Sequence, residues 1–328
     1  MKTAVVILNW NTRQYLQQFL PGLVESLSGT DAAVVVADNA STDGSLDLVQ
    51  EQFPNVRRIS FDRNYGFTGG YNRALAQVDA QYYVLINSDI EVTPGWLTPL
   101  ERWMDSHPEC GACGPKLLSY YNRESFEYAG AAGGLMDRWG YTYCRGRIMG
   151  RTAKDTGQYD EPANVMWVTG ACLMVRSALW KELGGLDDRF FAHMEEIDFC
   201  WRLQLKGYKV QVVPQSKVYH LGGGTLPQNS PWKLKLNFRN NLLMLDNNLA
   251  LSKGAARAAA VIRWRLMLDG CSRLVYLLKG RKDYANAVKE AHEEFFKLRK
   301  PKDGRSGRRH IDGLNGRIMF IEYLKKNI

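Results

Sequence analysis

An α/β fold is what the sequence predicts: a mostly parallel, mixed sheet with helices on both faces, followed by a helical C-terminal region. Two observations carry this. Between residues 3 and 89, short apolar runs alternate with segments of helical period, the signature of strand–helix–strand units. From Trp232 onward the pattern is helical.

The elements follow in order. Thr3 to Leu8 is a buried strand. Arg13 to Leu27 is a helix with Tyr15, Leu16, Phe19, Leu20, Leu23 and Leu27 on one broad face. Ala32 to Ala37 is a second strand, then Asp38 to Gly44 a polar turn with Asp43 as helix cap, and Ser45 to Phe53 a short helix. Val56 to Phe61 is a third strand, and Phe67 to Val78 a Gly-rich turn entering a helix. Tyr82 to Ile86 is a fourth strand, ending at Asn87-Ser-Asp89. Asn9, Asp38, Asn64 and Asp89 all follow predicted strands. In such sheets ligands bind beyond the carboxyl ends of the strands, so these four should meet in one crevice.

The middle of the chain is less regular. Ser119 to Ala163 shows no clean period and suggests a mobile lid or an acceptor-facing insertion. Val165 to Val175 is expected as a strand, Ser177 to Leu183 as a short helix, Ile197 to Lys206 as a helix stopped by Gly207, and Lys209 to Val213 as a strand leading to Val218-Tyr-His220 and a glycine triplet. Phe238, Leu242, Leu243 and Leu245 mark one later helix and Ala255 to Leu278 another. Lys300 to Arg309 is a basic loop, and Arg317 to Lys326 a last short helix.

Composition narrows the function. With 328 residues, 45% hydrophobic and 23% charged, the chain is an ordinary globular protein. A net charge of +9 is compatible with nucleic acid, an anionic membrane surface or anionic substrates. No nucleic-acid-binding motif accompanies the basic residues, so nucleic acid is not an expected partner. The chain starts almost at once with a strand. It carries no signal-peptide pattern and no run of about 18 apolar residues, so a cytoplasmic location is expected. Among six cysteines only Cys110 and Cys113 are close, with no second pair at zinc spacing. Reduced thiols in a buried strand are the simplest reading.

The acidic segment Glu195-Glu-Ile-Asp198 lies where an apolar turn enters an amphipathic helix, a costly place for carboxylates that have no use. It joins an ordered set: Val5-Val-Ile-Leu-Asn-Trp-Asn11, Val36 to Gly44, Asn64-Tyr-Gly-Phe, Asn87-Ser-Asp89, Thr169-Gly-Ala171 and His220. Over residues 1 to about 245 this set resembles the family-2 inverting glycosyltransferases, most closely the bacterial rhamnosyltransferase-type branch with a GT-A fold. The resemblance implies a catalytic domain over residues 1–230. Its nucleotide-sugar-binding half spans about 1–118 and its acceptor half about 119–230. A helical, basic region follows over 231–328.

The resemblance also implies roles. Asp38 would hydrogen-bond the base or ribose, with Leu8 and Asn9 beside the base and Asn64, Asn72 and Gly170 as further donor contacts. Asn87-Ser88-Asp89 corresponds to the family's D-x-D motif, with Asn87 in place of the first acid. Asp89 and His220 would hold Mg2+ or Mn2+, and a hard cation bridging diphosphate oxygens suits such ligands. Inversion needs one base opposite the leaving group, and no covalent intermediate. The second member of the acidic pair, Glu196, is the expected base, with Glu195 next; many relatives carry Asp in that second place. Asp198 would brace the helix, and Trp167 would offer a face to the sugar.

The implied reaction moves a sugar from a nucleotide-diphosphate donor, dTDP-rhamnose or a UDP-hexose, to a hydroxyl of a lipid-linked or polysaccharide acceptor in cell-surface glycan synthesis. A non-catalytic nucleotide-sugar- or polysaccharide-binding module is the alternative. The basic C-terminal helices, with Val261, Ile262, Trp264, Leu266, Met267, Leu274, Val275 and Leu277 among arginines, suit an anionic membrane surface at the inner face of the cell membrane. A soluble cap or a homodimer interface is the other use for them. A chain ending near Leu245 is expected to keep nucleotide binding.

Overall fold

The computed structural model describes residues 1–222, 230–300, 304 and 306–324. Part of the glycine triplet, part of the 300–309 loop and the end of the last expected helix therefore lie outside the described residues. The chain runs β1 (Thr3–Asn9), α1 (Arg13–Ser26), β2 (Ala32–Asp38), α2 (Ser45–Gln52), β3 (Arg57–Ser60), α3 (Gly66–Leu75), β4 (Tyr82–Ile86), β5 (Ile90–Val92), α4 (Leu97–Ser106) and β6 (Cys110–Ser119). Then come the short strands β7 (Gly134–Met136), β8 (Thr142–Cys144), β9 (Arg147–Ile148), β10 (Arg151–Thr152) and β11 (Ala163–Asn164). Next are β12 (Cys172–Arg176), α5 (Ser177–Glu182), a 3-10 turn (Asp188–Phe190), α6 (Glu195–Leu205) and β13 (Lys209–His220). Finally α7 (Pro231–Lys253), α8 (Ala255–Leu278), α9 (Lys282–Leu298) and α10 (Met319–Leu324) close the chain.

The main sheet has the order β11-β13-β6-β12-β4-β1-β2-β3, with β5 on β13. β1 is parallel to β2 and β4, and β2 to β3, while β12 runs antiparallel between β4 and β6. The sheet is mixed, as expected. Period-two alternation explains its two cores. Val5 and Ile7 of β1 face α1 and α2, packing with Leu16, Leu20 and Leu48. Ala4 and Val6 face the other side, with Tyr71, Phe199, Trp201 and Leu242. Burying each Val- or Leu-sized side chain is worth about 1.5–3 kcal/mol, so a polar replacement in β1 would disrupt both layers.

Register places the crevice. Asn9 pairs with Asp38 and Asp38 with Ser60, so β1, β2 and β3 end level; Ile7 pairs with Ile86, so β4 stops two residues short and Asn87-Ser-Asp89 continues from it.

Three expectations change. The 119–163 stretch is no lid: β7 to β10 form a second small sheet, and Ala131, Ala132, Met136 and Cys144 are buried in the main core. The 165–175 strand is interrupted. Only Cys172–Arg176 is in the ladder, because Thr169-Gly-Ala171 turns toward the crevice. Residue 230 does not separate two independent parts. Asn247 and Asn248 of α7 bond the Asp198 carboxylate of α6, at 2.9 and 2.7 Å. A chain ending near Leu245 would lose both. The cysteines are free, and Cys110 and Cys113 are buried in β6, as the simplest reading had it.

Candidate active site

A cavity of about 400 Å³ opens at the ends of β1 and β4. Leu8, Asn64, Asn87, Ser88, Asp89, Gly170, Glu195, Glu196 and His220 all line it. These come from strand ends, turns and one helix start spread over more than two hundred residues of sequence, so only the tertiary fold assembles them.

The side of the cavity at the ends of β1 and β2 is polar and internally bonded. Asn9 Nδ2 donates to Asp38 Oδ1 at 2.7 Å, and the Ser41 backbone N–H donates to Asp38 Oδ2 at 2.8 Å. Both residues are buried behind the cavity wall rather than on it. Asn39, one residue on, is at the wall. Its Nδ2 donates to Asn64 Oδ1 and to the Gly66 carbonyl, each at 3.0 Å. Sequence reasoning passed over Asn39, although a carboxamide following a strand-end acid was a signal available to it.

Two expected contacts are corrected. Asn72 is not on the cavity. Its Nδ2 donates to the Leu186 carbonyl and its Oδ1 accepts from the Leu186 N–H, at 2.8 and 2.9 Å. It latches α3 to the segment before the 3-10 turn, a contact across 114 residues that no local pattern shows. Trp167 is 3% exposed, and its Nε1–H donates to the Leu135 carbonyl at 3.2 Å. A buried indole needs such a partner, and this ring is core rather than a sugar platform.

The acidic pole gathers three side chains. Antiparallel pairing of β5 with β13 sets Ile90 opposite His220, which brings Asp89 Oδ1 to 3.2 Å from His220 Nε2. Glu127, from the stretch after β6, has Oε1 3.4 Å from His220 Nδ1 and fixes Oε2 on the Ala129 N–H. Burial opposes a charge on His220, but the two carboxylates outweigh it and hold its pKa up at about 10. The same contact keeps the Asp89 carboxyl below its usual range despite burial. Glu127 was not foreseen, because the irregular 119–163 stretch gave it no place.

Among the described residues no three His, Cys, Asp or Glu side chains form a closed metal cage. A hard cation does not need one. Mg2+ is commonly held by one or two protein groups plus waters and substrate phosphates. One carboxylate and one imidazole facing each other on an open cavity fit that pattern.

The Glu195–Glu196 pair sits at the start of α6. Phe191, His193 and Met194 have φ of 63°, 72° and 71°, an uncommon run for residues with side chains. The loop is held from outside. Asn240 Nδ2 reaches the carbonyls of Phe190, Ala192 and His193 at 2.9, 2.7 and 2.8 Å. The Phe191 carbonyl accepts the Phe67 and Thr68 N–H groups at the start of α3. Gly66 allows this approach: a Cβ there would stand 2.5 Å from the Phe191 ring.

Glu195 is 4% exposed, while Glu196 keeps partial access to the cavity. Each has an Oε2 with no hydrogen-bond partner. Burial first, and then the neighbouring carboxylate, push the Glu195 pKa well up. Burial pushes Glu196 to about 7 against the backbone N–H groups that favour its charge. Two adjacent carboxyls in a shielded site do not both ionise readily, so the more exposed Glu196 is the one that gives up its proton near neutrality. Asp198 is fully buried and braced by Arg202, Asn247 and Asn248. Its expected bracing role thus extends to α7. His193, Trp232 and Lys233 also line the cavity and were not foreseen.

Residues 4–183 match the family described as Glycosyl transferase family 2. An N-acetylglucosaminyl-diphospho-decaprenol L-rhamnosyltransferase of Mycobacterium tuberculosis is 29% identical over 232 residues, covering 66% of this chain and 75% of that protein. Among solved structures, GalNAc-T7 with UDP, GalNAc and Mn2+ superposes with a TM-score of 0.58 at 17% identity, over 77% of this chain and 48% of that one. The mannosyltransferase PcManGT from Pyrobaculum calidifontis, in complex with GDP-Man and Mn2+, gives 0.56 at 13% identity, over 90% and 87%. At these identities the structural likeness establishes the shared GT-A fold.

Proposed function

The chain belongs to glycosyl transferase family 2 and is a glycosyltransferase, and from that premise we propose that it transfers a sugar, with inversion, from a nucleotide-diphosphate donor to an acceptor hydroxyl. The observation that carries the reading is Glu196: a carboxylate on the cavity, with an unpartnered Oε2 and a pKa near 7, in the same cavity as Asp89 and His220. A general base works best with a pKa near the working pH. The Glu196 carboxylate takes the proton of the acceptor hydroxyl as the hydroxyl oxygen bonds to the anomeric carbon. The bond from that carbon to the donor diphosphate breaks in the same displacement. Glu195, protonated and shielded, lends shape without a second charge.

Asp89 and His220 would hold Mg2+ or Mn2+. The cation supplies charge neutralisation on the departing diphosphate. The proton that His220 carries between Asp89 and Glu127 must leave for it to become a ligand. Asn39 and Asn64, with Asp38 and Asn9 behind them, stand where the nucleotide would lie. The rhamnosyltransferase relative supports a deoxyhexose or hexose donor and a lipid-diphosphate-linked acceptor, hence a place in cell-surface glycan synthesis at the inner face of the cell membrane.

Donor consumption followed by NMR of the anomeric proton tests the reaction class. Across a panel of dTDP, UDP and GDP sugars, at least one should be turned over with inverted configuration. Retained configuration, or no turnover of any donor with either cation, would overturn the reading.

A further inference from the structure

Among the described residues, most of the outer side of α8 is left uncovered. Its inward residues are Ala258, Val261, Ile262, Arg265 and Asp269. On the opposite side Trp264, Met267, Leu274 and Leu278 are 39%, 50%, 56% and 79% exposed. Spacings of three, seven and four residues put them in one stripe. The sequence-based grouping of Val261 and Ile262 with this face is thereby corrected: both are buried in the body.

The stripe continues beyond α8. Trp264 meets Trp139 with ring centroids 5.4 Å apart. The Arg138 N–H next to it donates to the Arg317 carbonyl, and the Met319 N–H to Asp137 Oδ2. These bonds seat α10, whose Phe320, Ile321 and Leu324 are 57%, 42% and 63% exposed.

Charge decides the occupant. Arg257, Arg263, Arg273, Lys279, Arg281 and Lys282 accompany α8, and Arg138 and Arg317 the rest. The acids nearby are buried, as Asp137 and Asp269 are, or sit beside a basic partner, as Glu322 does with Arg317 and Asp283 with Arg281. A second copy docking on this face would set arginine against arginine. A bilayer with anionic head groups accepts both the apolar stripe and its basic margins.

We propose that α8, Trp139 and α10 form one docking surface for an anionic lipid bilayer. This deepens the membrane reading above, but it does not depend on which sugar is moved.

The test uses the full chain and vesicles of phosphatidylcholine with or without phosphatidylglycerol. Flotation should show binding to the anionic vesicles at low salt and release at high salt, since screening weakens the attraction. Two surface variants, Leu274→Ser with Leu278→Ser and Arg263→Glu with Lys279→Glu, should each lower partitioning at least about tenfold, given roughly 1 kcal/mol per basic residue at such a surface. Donor turnover measured without vesicles should stay unchanged in both, which separates failure of this proposal from failure of the transfer chemistry. Absence of binding to anionic vesicles at low salt would overturn it, as would binding unaffected by either variant. A dimer in sedimentation that the leucine variant dissociates would assign the face to a second copy instead.

Discussion

At the scale of single residues, ionisation governs the behaviour of the site. Glu196 in the folded protein holds its proton up to about 7, against an ordinary value of 4.5. A raised pKa stabilises the fold at pH below the ordinary value, and that stability is lost as pH rises through the folded value. Glu196→Gln removes the loss. Its stability relative to the parent should therefore climb from pH 5 to pH 8, by on the order of 2 kcal/mol at most, and its melting temperature should climb with it. Scanning calorimetry at both pH values checks this, and an equal difference at both would contradict it. Transfer by the parent should rise with pH through about 7 as Glu196 loses its proton. His220 works in the same direction. Its proton, held to about 10, competes with the cation. Calorimetry should show cation-dependent donor binding that strengthens from pH 6.5 to 9 with proton release, and that disappears in Asp89→Ala. Equal donor affinity with chelator and with cation would remove the metal from the account. Much of this was legible in sequence, because Asp89, His220 and the Glu pair stand in recognisable local patterns. Glu127 and Lys233 were not: Glu127 meets His220, and Lys233 meets the cavity, only through long-range packing.

At the scale of elements, α7 holds the Glu195–Glu196 pair in place. The run of positive φ before Glu195 is strained backbone, and Asn240 and Arg239 secure it from α7. Replacing Asn240 by Ala leaves the carbonyls of Ala192 and His193 short of a donor, while Arg239 still serves Phe190, at a cost of about 1–3 kcal/mol. The expected outcome is a kcat at least about tenfold lower with donor affinity within a few-fold of the parent. Loss of donor affinity with kcat intact would show that the loop serves binding rather than the base. Sequence reasoning found α6 and α8 nearly to the residue, because their apolar period and Gly boundaries are local. It could not see that α7 clamps α6, since Asn240 in sequence is one more polar residue on a helix. Asn72 and Trp167 failed for the converse reason: local context made each look like a ligand contact, and distant partners, Leu186 and Leu135, engage them structurally.

At the scale of the whole molecule, the neighbouring ends of β1, β2 and β4 create the crevice, and β5 on β13 carries Asp89 to His220. The parallel half of the sheet was legible from its alternating runs. The short strands of the 119–163 insertion were not, because two- and three-residue strands carry no period. What the assembled architecture predicts is a division of labour: nucleotide and cation along the strand ends, proton removal at the start of α6. The most direct test is single-turnover transfer by Glu196→Gln and Glu195→Gln, with donor affinity measured in parallel. Glu196→Gln should bind donor like the parent and transfer roughly a hundred to ten thousand times more slowly, the usual reach of general-base catalysis. Transfer by Glu196→Gln at the parental rate, with Glu195→Gln inactive, would place the base on the wrong carboxylate and contradict the account.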